Sequence, residues 1–277
     1  MTMLIVLVVL REQDEPSAGL WRHPRRLGGS ARRALLRARW ALEDRRLMAE
    51  QRRSVLGPAH RHWRGNSARE NRQRWDGWDW SNGGEEWSAS PEWRDALIDD
   101  VLARWIPHDR AVLEIGPGAG RWSQALMERA SSLILVDVSE RPLELCRSRF
   151  QDAENLEFVL SSGADIPGIA DGSIDAVWSF DVFVHIAPLD QASYLSEIAR
   201  VLTPGGVAVI HHSDGRNRGL IPSRHGWRSP MSRGLFASLA SRSGLLVERQ
   251  LTCGGRSTRG ERRSTSCTHG SERSVPE

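Results

Sequence analysis

Between Ser90 and Gln250, short apolar runs alternate with longer stretches of helix formers, and few folds accommodate that rhythm. The runs are Ala111 to Ile115, Ser132 to Val136, Leu156 to Leu160, Ile174 to Phe180 and Val207 to His211. Helices are expected from Ser90 to about Trp105, from the turn ending at Gly120 to about Ala130, from Arg141 to Phe150, and from Asp190 to Leu202. Ser90 followed by Pro91 marks a helix start, a side-chain cap and then a first-turn proline. Strands apolar on both faces need cover on both faces, which predicts a parallel sheet with helices above and below. The fold class is α/β: a doubly wound, mostly parallel sheet with an N-terminal helical extension. Ligands on such sheets bind beyond the carboxyl ends of the strands, where the strand order reverses.

Charge divides the chain into zones. Residues 1–74 hold 17 arginines against 7 acids, residues 75–250 hold 16 against 25, and residues 251–277 hold 5 against 3, in a chain of net charge +3. A basic extension is expected over 1–74, with a helix from Ala31 to Leu56 capped by Ser30 and stopped by Gly57-Pro58. The main domain is expected over 75–250. The tail 251–277, rich in Ser, Arg, Thr and Gly, is expected to be disordered because it has almost nothing to bury. No lysine is present, which removes Schiff-base and P-loop chemistry.

The longest apolar run, Met3 to Leu10, falls far short of the ~20 residues that span a bilayer. Nothing basic precedes it, and Arg11-Glu-Gln-Asp-Glu15 follows where a signal peptide places small residues. It reads as a short buried strand or the product of a mis-assigned start. Cys146, Cys253 and Cys267 have no CxxC spacing, so neither disulfides nor a zinc site are implied, and a cytoplasmic setting is expected. Trp75, Trp78, Trp80, Trp87 and Trp93 surround Gly83-Gly84 and suggest an ordered flap, serving either as a wall over a pocket or as packing.

The strongest chemical signal is Glu114-Ile-Gly116-Pro-Gly118-Ala-Gly120, set between a strand and a helix. Its glycines permit a tight turn and let backbone approach a ligand closely. A dinucleotide fingerprint needs glycine at 121, where Arg121 stands. An acid two residues before the first glycine repels a pyrophosphate and suits a ligand carrying positive charge.

With the strand order, these residues resemble the class I S-adenosylmethionine-dependent methyltransferases, whose sheet is Rossmann-like. The resemblance covers about residues 90–250. The acid and Gly-x-Gly-x-Gly match the family's first motif. Asp137, with Val138 beside it, matches the acid that grips the ribose hydroxyls. Gly163-Ala164-Asp165 matches the position that contacts the adenine amino group. Asp171 to Phe180 matches the fourth-strand motif, and Leu202-Thr-Pro-Gly-Gly206 the turn into the fifth strand. The resemblance thus implies S-adenosyl-L-methionine as cofactor, held by Glu114, Gly116, Gly118, Gly120, Asp137, Val138, Ala164, Asp165 and Phe180.

Methyl transfer needs no metal; alignment and exclusion of water do most of the work, and a hydroxyl acceptor benefits from a base. His185 is the first candidate for that base and Asp181 the second; His211 and His212 also fall at the ligand edge. The segment Trp178 to Ile186, with the tryptophan flap, looks like bacterial methyltransferases of small molecules or glycans. No Asn-Pro-Pro-aromatic signature and no catalytic cysteine follow the fourth strand, which departs from amino-directed and cytosine-carbon methylases. The expected partner is a small-molecule or glycan acceptor rather than nucleic acid. Two alternatives are an RNA methyltransferase gripping through the basic arm and a cofactor-binding subunit without turnover. Gly244 to Gln250 reads as a sixth strand, but no apolar candidate after residue 251 supplies the antiparallel strand that closes such a sheet.

Overall fold

The computed structural model describes residues 2–10 and 252–254 as backbone and residues 67–213, 228–229 and 231–251 in full. Seven strands form one sheet: β1 (Thr2–Leu10), β2 (Ala111–Ile115), β3 (Ser132–Asp137), β4 (Leu156–Leu160), β5 (Ile174–Ser179), β6 (Leu202–His212) and β7 (Leu245–Gly254). The order across the sheet is β4-β3-β2-β5-β6-β1-β7. From β4 to β6 all neighbours are parallel. The doubly wound α/β arrangement expected from the apolar runs is the one observed.

Among the described residues, the helices that accompany the strands are α1 (Ala68–Asp76), α2 (Pro91–Leu97), α3 (Ser123–Met127), α4 (Glu140–Arg149), α5 (Pro188–Val201) and α6 (Arg233–Arg242). α2 continues through a wider turn, Ile98–Leu102, to Ala103–Trp105. Ser90 caps α2 by accepting from the amide of Trp93, with Pro91 behind it. α1 is almost wholly polar and escapes a periodicity reading. α1 nevertheless opens on a capping box, Ser67 with Glu70, the local signal that does mark it.

Period-two alternation splits the interior into two layers. Leu113 and Ile115 of β2, Val177 of β5 and Ala208 and Ile210 of β6 face a core completed by Ile198 of α5 and Phe236 of α6. Val112, Ala176, Trp178 and Val209 face the opposite core, with Leu97 of α2, Leu126 of α3 and Leu143 of α4. Asp175 ties the layers' base: its carboxylate accepts from the Ala111 amide and the Thr203 hydroxyl.

The closing antiparallel strand comes from the opposite end of the chain. β1 lies between β6 and β7, antiparallel to both, with Leu4 opposite His212 and Ile5 opposite His211. The apolar run 3–10 is thus a strand of the main sheet, and the gap expected after residue 251 is filled. Residues 2–10 belong to the same compact unit as those from 67 onward. The zone boundaries drawn from charge differ accordingly: β1 and most of α1 fall below residue 75, and β7 runs past residue 250 to Gly254. The helix expected over 31–56 and the tail beyond Gly254 lie outside the described residues. Among the described residues no helix is long and apolar enough to cross a membrane.

Candidate cofactor and acceptor site

The strand order reverses between β2 and β5, and a crevice opens there at their carboxyl ends. It encloses about 870 Å³ of empty space, counting its open mouth. The floor is the bend after β2, where Gly116, Gly118 and Gly120 hold φ of 74°, 57° and 86°. A Cβ on Gly116 would fall 2.3 Å from Val182, and one on Gly120 would fall 2.6 Å from Phe150. Gly116 and Gly118 line the crevice, whereas Gly120 packs away from it against α4. Trp80 covers the bend from outside, 3.0 Å from where a Cβ of Gly118 would stand.

Asp137 ends β3 and lines the crevice beside Val138. Its carboxylate accepts from the Ser139 amide at 2.9 Å. Burial, with little compensating charge nearby, pushes its pKa up to about 7. Glu114 lies behind the bend, fully buried. One of its oxygens accepts from the Ser123 hydroxyl at 2.5 Å, and the other, Oε1, is buried without a partner. Burial raises its pKa to about 7 as well. Asp137, a desolvated carboxyl on the crevice wall, suits a ligand that brings hydroxyls, whereas Glu114 is not among the lining residues.

Ala164 and Asp165 do not line the crevice; Gly163 does. Asp165 is drawn into its own loop, where Oδ1 accepts from the Ser162 amide at 2.7 Å and the Ser161 hydroxyl at 3.0 Å. Those bonds outweigh partial burial and lower its pKa. Ala68 of α1 presses on the same loop, 2.4 Å from where a Cβ of Gly163 would stand. Phe180 lines the crevice while its ring stacks in an aromatic core with Trp178, 5.6 Å away, and Trp122, 4.8 Å away.

Asp181 and His185 both line the crevice, and their settings differ. Asp181 sits at φ 62°, a left-handed conformation that is costly for a residue with a Cβ. The turn aims its carboxylate at two partners: Arg121 Nη2 at 2.8 Å and His211 Nδ1 at 3.0 Å. Burial opposes its charge, but His211 and Arg121 prevail and hold it well below the usual carboxylate range. His185 ends a 3-10 turn, Phe183–His185. Asn71 of α1 donates to its carbonyl at 3.0 Å, and buried Gln191 of α5 donates to the carbonyls of Phe183 and Ile186, each at 2.8 Å. Its ring meets the edges of Trp75 at 5.4 Å and Trp87 at 6.5 Å.

Of the tryptophan flap, Trp75, Trp80 and Trp87 line the crevice. Trp78 backs them, 5.2 Å from Trp87, and Trp93 packs on Phe180 at 6.3 Å. Arg72 clamps α1 across the strand ends by donating to the carbonyls of Val138 at 2.8 Å and Ser161 at 3.2 Å. Arg121, Asn71 and Tyr194 also line the crevice and were not foreseen as site residues. Only Asn71 had a local clue, the capping box that starts its helix. Arg121 stood out only as the residue that breaks a dinucleotide spacing. No cluster of three or more His, Cys, Asp or Glu among the described residues is set to hold a metal.

This geometry agrees with what the chain is similar to. Residues 113–210 match the family model described as a methyltransferase domain. Over these residues the chain is similar to methyltransferase domains, in line with its resemblance to the class I S-adenosylmethionine-dependent enzymes, whose cofactor is S-adenosylmethionine. A Mycolicibacterium smegmatis protein named as an S-adenosylmethionine-dependent methyltransferase is 34% identical over 101 residues, 36% of this chain and 37% of its own length. A Mycobacterium tuberculosis H37Rv protein named as an O-methyltransferase is 32% identical over 112 residues, 38% of this chain and 48% of its own. The chain thus spans less than half the length of these curated relatives. Among solved structures, the complex between the Haloferax volcanii Trm112 methyltransferase activator and a methyltransferase matches with a TM-score of 0.53 and 24% identity. That match covers 65% of this chain and 78% of the other, and shows the shared fold.

Proposed function

We propose that this protein is a methyltransferase that moves a methyl group from S-adenosylmethionine to a hydroxyl of a small molecule or glycan in the cytoplasm. The carrying observation is the continuity of one crevice from the glycine bend and Asp137 to an indole wall and His185. S-adenosylmethionine, when bound, would supply an electrophilic methyl carried on a sulfonium, with the thioether as leaving group. On the protein side, Asp137 accepts from ribose hydroxyls, Gly116 and Gly118 give close backbone approach, and Glu114 balances the positive charge. Trp75, Trp80 and Trp87 exclude water and offer flat faces to a sugar or similar ring.

His185 takes the proton released by the hydroxyl. Its turn is fixed from two sides by Asn71 and Gln191, which holds the imidazole against the indole wall. Asp181, paired on both oxygens and strongly acidic, is a weak proton acceptor at neutral pH and serves to hold Arg121 and His211. The name of the M. tuberculosis relative supports oxygen as the acceptor atom.

Calorimetric titration with S-adenosylmethionine, followed by a product screen over hydroxylated acceptors, tests the reading. His185→Gln should lower turnover about 100-fold or more while cofactor affinity stays within about twofold. Equal turnover would remove His185 as the base, and absence of cofactor binding would remove the reading itself.

A further inference from the structure

Among the described residues, Arg121 is the one permanently cationic side chain that lines the crevice. It is 8% exposed, on the first position after the glycine bend. Its guanidinium is only partly committed. Nη2 donates to Asp181 at 2.8 Å, Nη1 reaches Ser88 Oγ at a long 3.4 Å, and Nε makes no hydrogen bond. The other charged groups of the wall, Asp137 and Asp181, are acids, as is Glu114 behind it. Each of these repels a carboxylate.

The cofactor of this domain class has two chemically distinct ends. Its nucleoside end matches Asp137, Val138 and Gly163, at the ends of β3 and β4. Its amino-acid end carries an ammonium and a carboxylate, and a carboxylate leaving water needs a charged donor. We propose that Arg121 receives the carboxylate of the cofactor's amino-acid end. Asp181 is then a positioning residue: its bond to Nη2 fixes the plane of the guanidinium and leaves other donors of the fork for the ligand. His211 on the far oxygen keeps that carboxylate in place.

S-Adenosylhomocysteine has the amino-acid chain, and 5′-methylthioadenosine lacks it, so the pair isolates the contact. By titration calorimetry on the full chain, Arg121→Gln should weaken S-adenosylhomocysteine roughly ten- to a hundredfold and leave methylthioadenosine within about twofold. Retained methylthioadenosine binding also shows that the variant is folded. Arg121→Lys should recover part of the loss, because charge returns without the fork. Equal losses for both compounds, or none for either, would overturn the assignment while leaving the cofactor reading intact. Failure of the unaltered protein to bind either compound would overturn both.

Discussion

On one side of the sheet, β2, β3 and β4 follow one another closely in sequence, each joined to the next by a short crossover that carries a helix. On the other side, β6 and β7 are held together by β1, a strand about 200 residues distant from β6 in sequence. The first side assembles from neighbours; the second waits for a long-range closure, whose entropy must be met before its pairing is gained. The crevice draws on both. Asp137 and the glycine bend rest on the local side, while His211, which steadies Asp181, lies directly opposite Ile5 of β1. A perturbation of β1 therefore reaches the acceptor edge through β6.

Val6→Pro is the sharpest way to break this contrast. Val6 pairs with Ile210 on one side and Gln250 on the other, so no orientation spares the ladder. The lost bond and the partner left unsatisfied cost up to ~3 kcal/mol, or roughly 6–12 °C in Tm for a domain of this size. Hydrogen exchange should rise first in β6 and β7 and last in β2 and β3. Uniform exchange with an unchanged Tm would mean that β1 is dispensable.

On the local side the counterpart is Gly116→Ala. Its φ of 74° and the 2.3 Å approach of Val182 add strain to overlap, for about 1–3 kcal/mol. Gly172→Ala is the control: φ is 63° but nothing lies within 4 Å, so about 1 kcal/mol is expected. Gly116→Ala should also abolish measurable cofactor binding, whereas Gly172→Ala should leave it unchanged. Similar behaviour of the two variants would remove the bend from the site.

The same division explains what was legible in the sequence. Strands on the local side announce themselves by apolar runs between helices, so Ala111–Ile115 and Leu156–Leu160 were placed to the residue. β1 was equally apolar, but nothing in a linear text says that residue 5 lies opposite residue 211. Within the site, Gly116 and Asp137 were readable because motif spacing fixes them to strand ends, and His185 because it follows β5 by a short turn. The Arg121–Asp181 pair was not, because its two members are 60 positions apart and meet through the fold. Asp165 shows the converse: a matching motif whose side chain is taken by its own loop.

Two carboxylates on one crevice wall, Asp137 and Asp181, titrate in opposite directions, and the cause is which side chains touch them. Asp181 faces Arg121 and His211, which outweigh its burial. Asp137 has only amides against burial, and Asp76 nearby adds repulsion, so it rises to about 7, as does Glu114. The folded protein therefore holds protons on Asp137 and Glu114 more tightly than the unfolded chain does. Their contribution to stability is full below pH 4 and is lost as pH rises through about 7. Asp181 acts the other way: its contribution is present above the ordinary carboxylate range and is lost only in strong acid. On the proposed reading the cofactor is bound by the ionised forms of Asp137 and Glu114, so affinity should fall on acidification. Between pH 8 and pH 6 the loss is about tenfold for each carboxyl that must shed a proton. Asp137→Asn should make the pH profile shallower by one such step as well as weakening binding overall. A profile of unchanged slope would show that Asp137 stays ionised in the free protein, with its burial relieved by solvent.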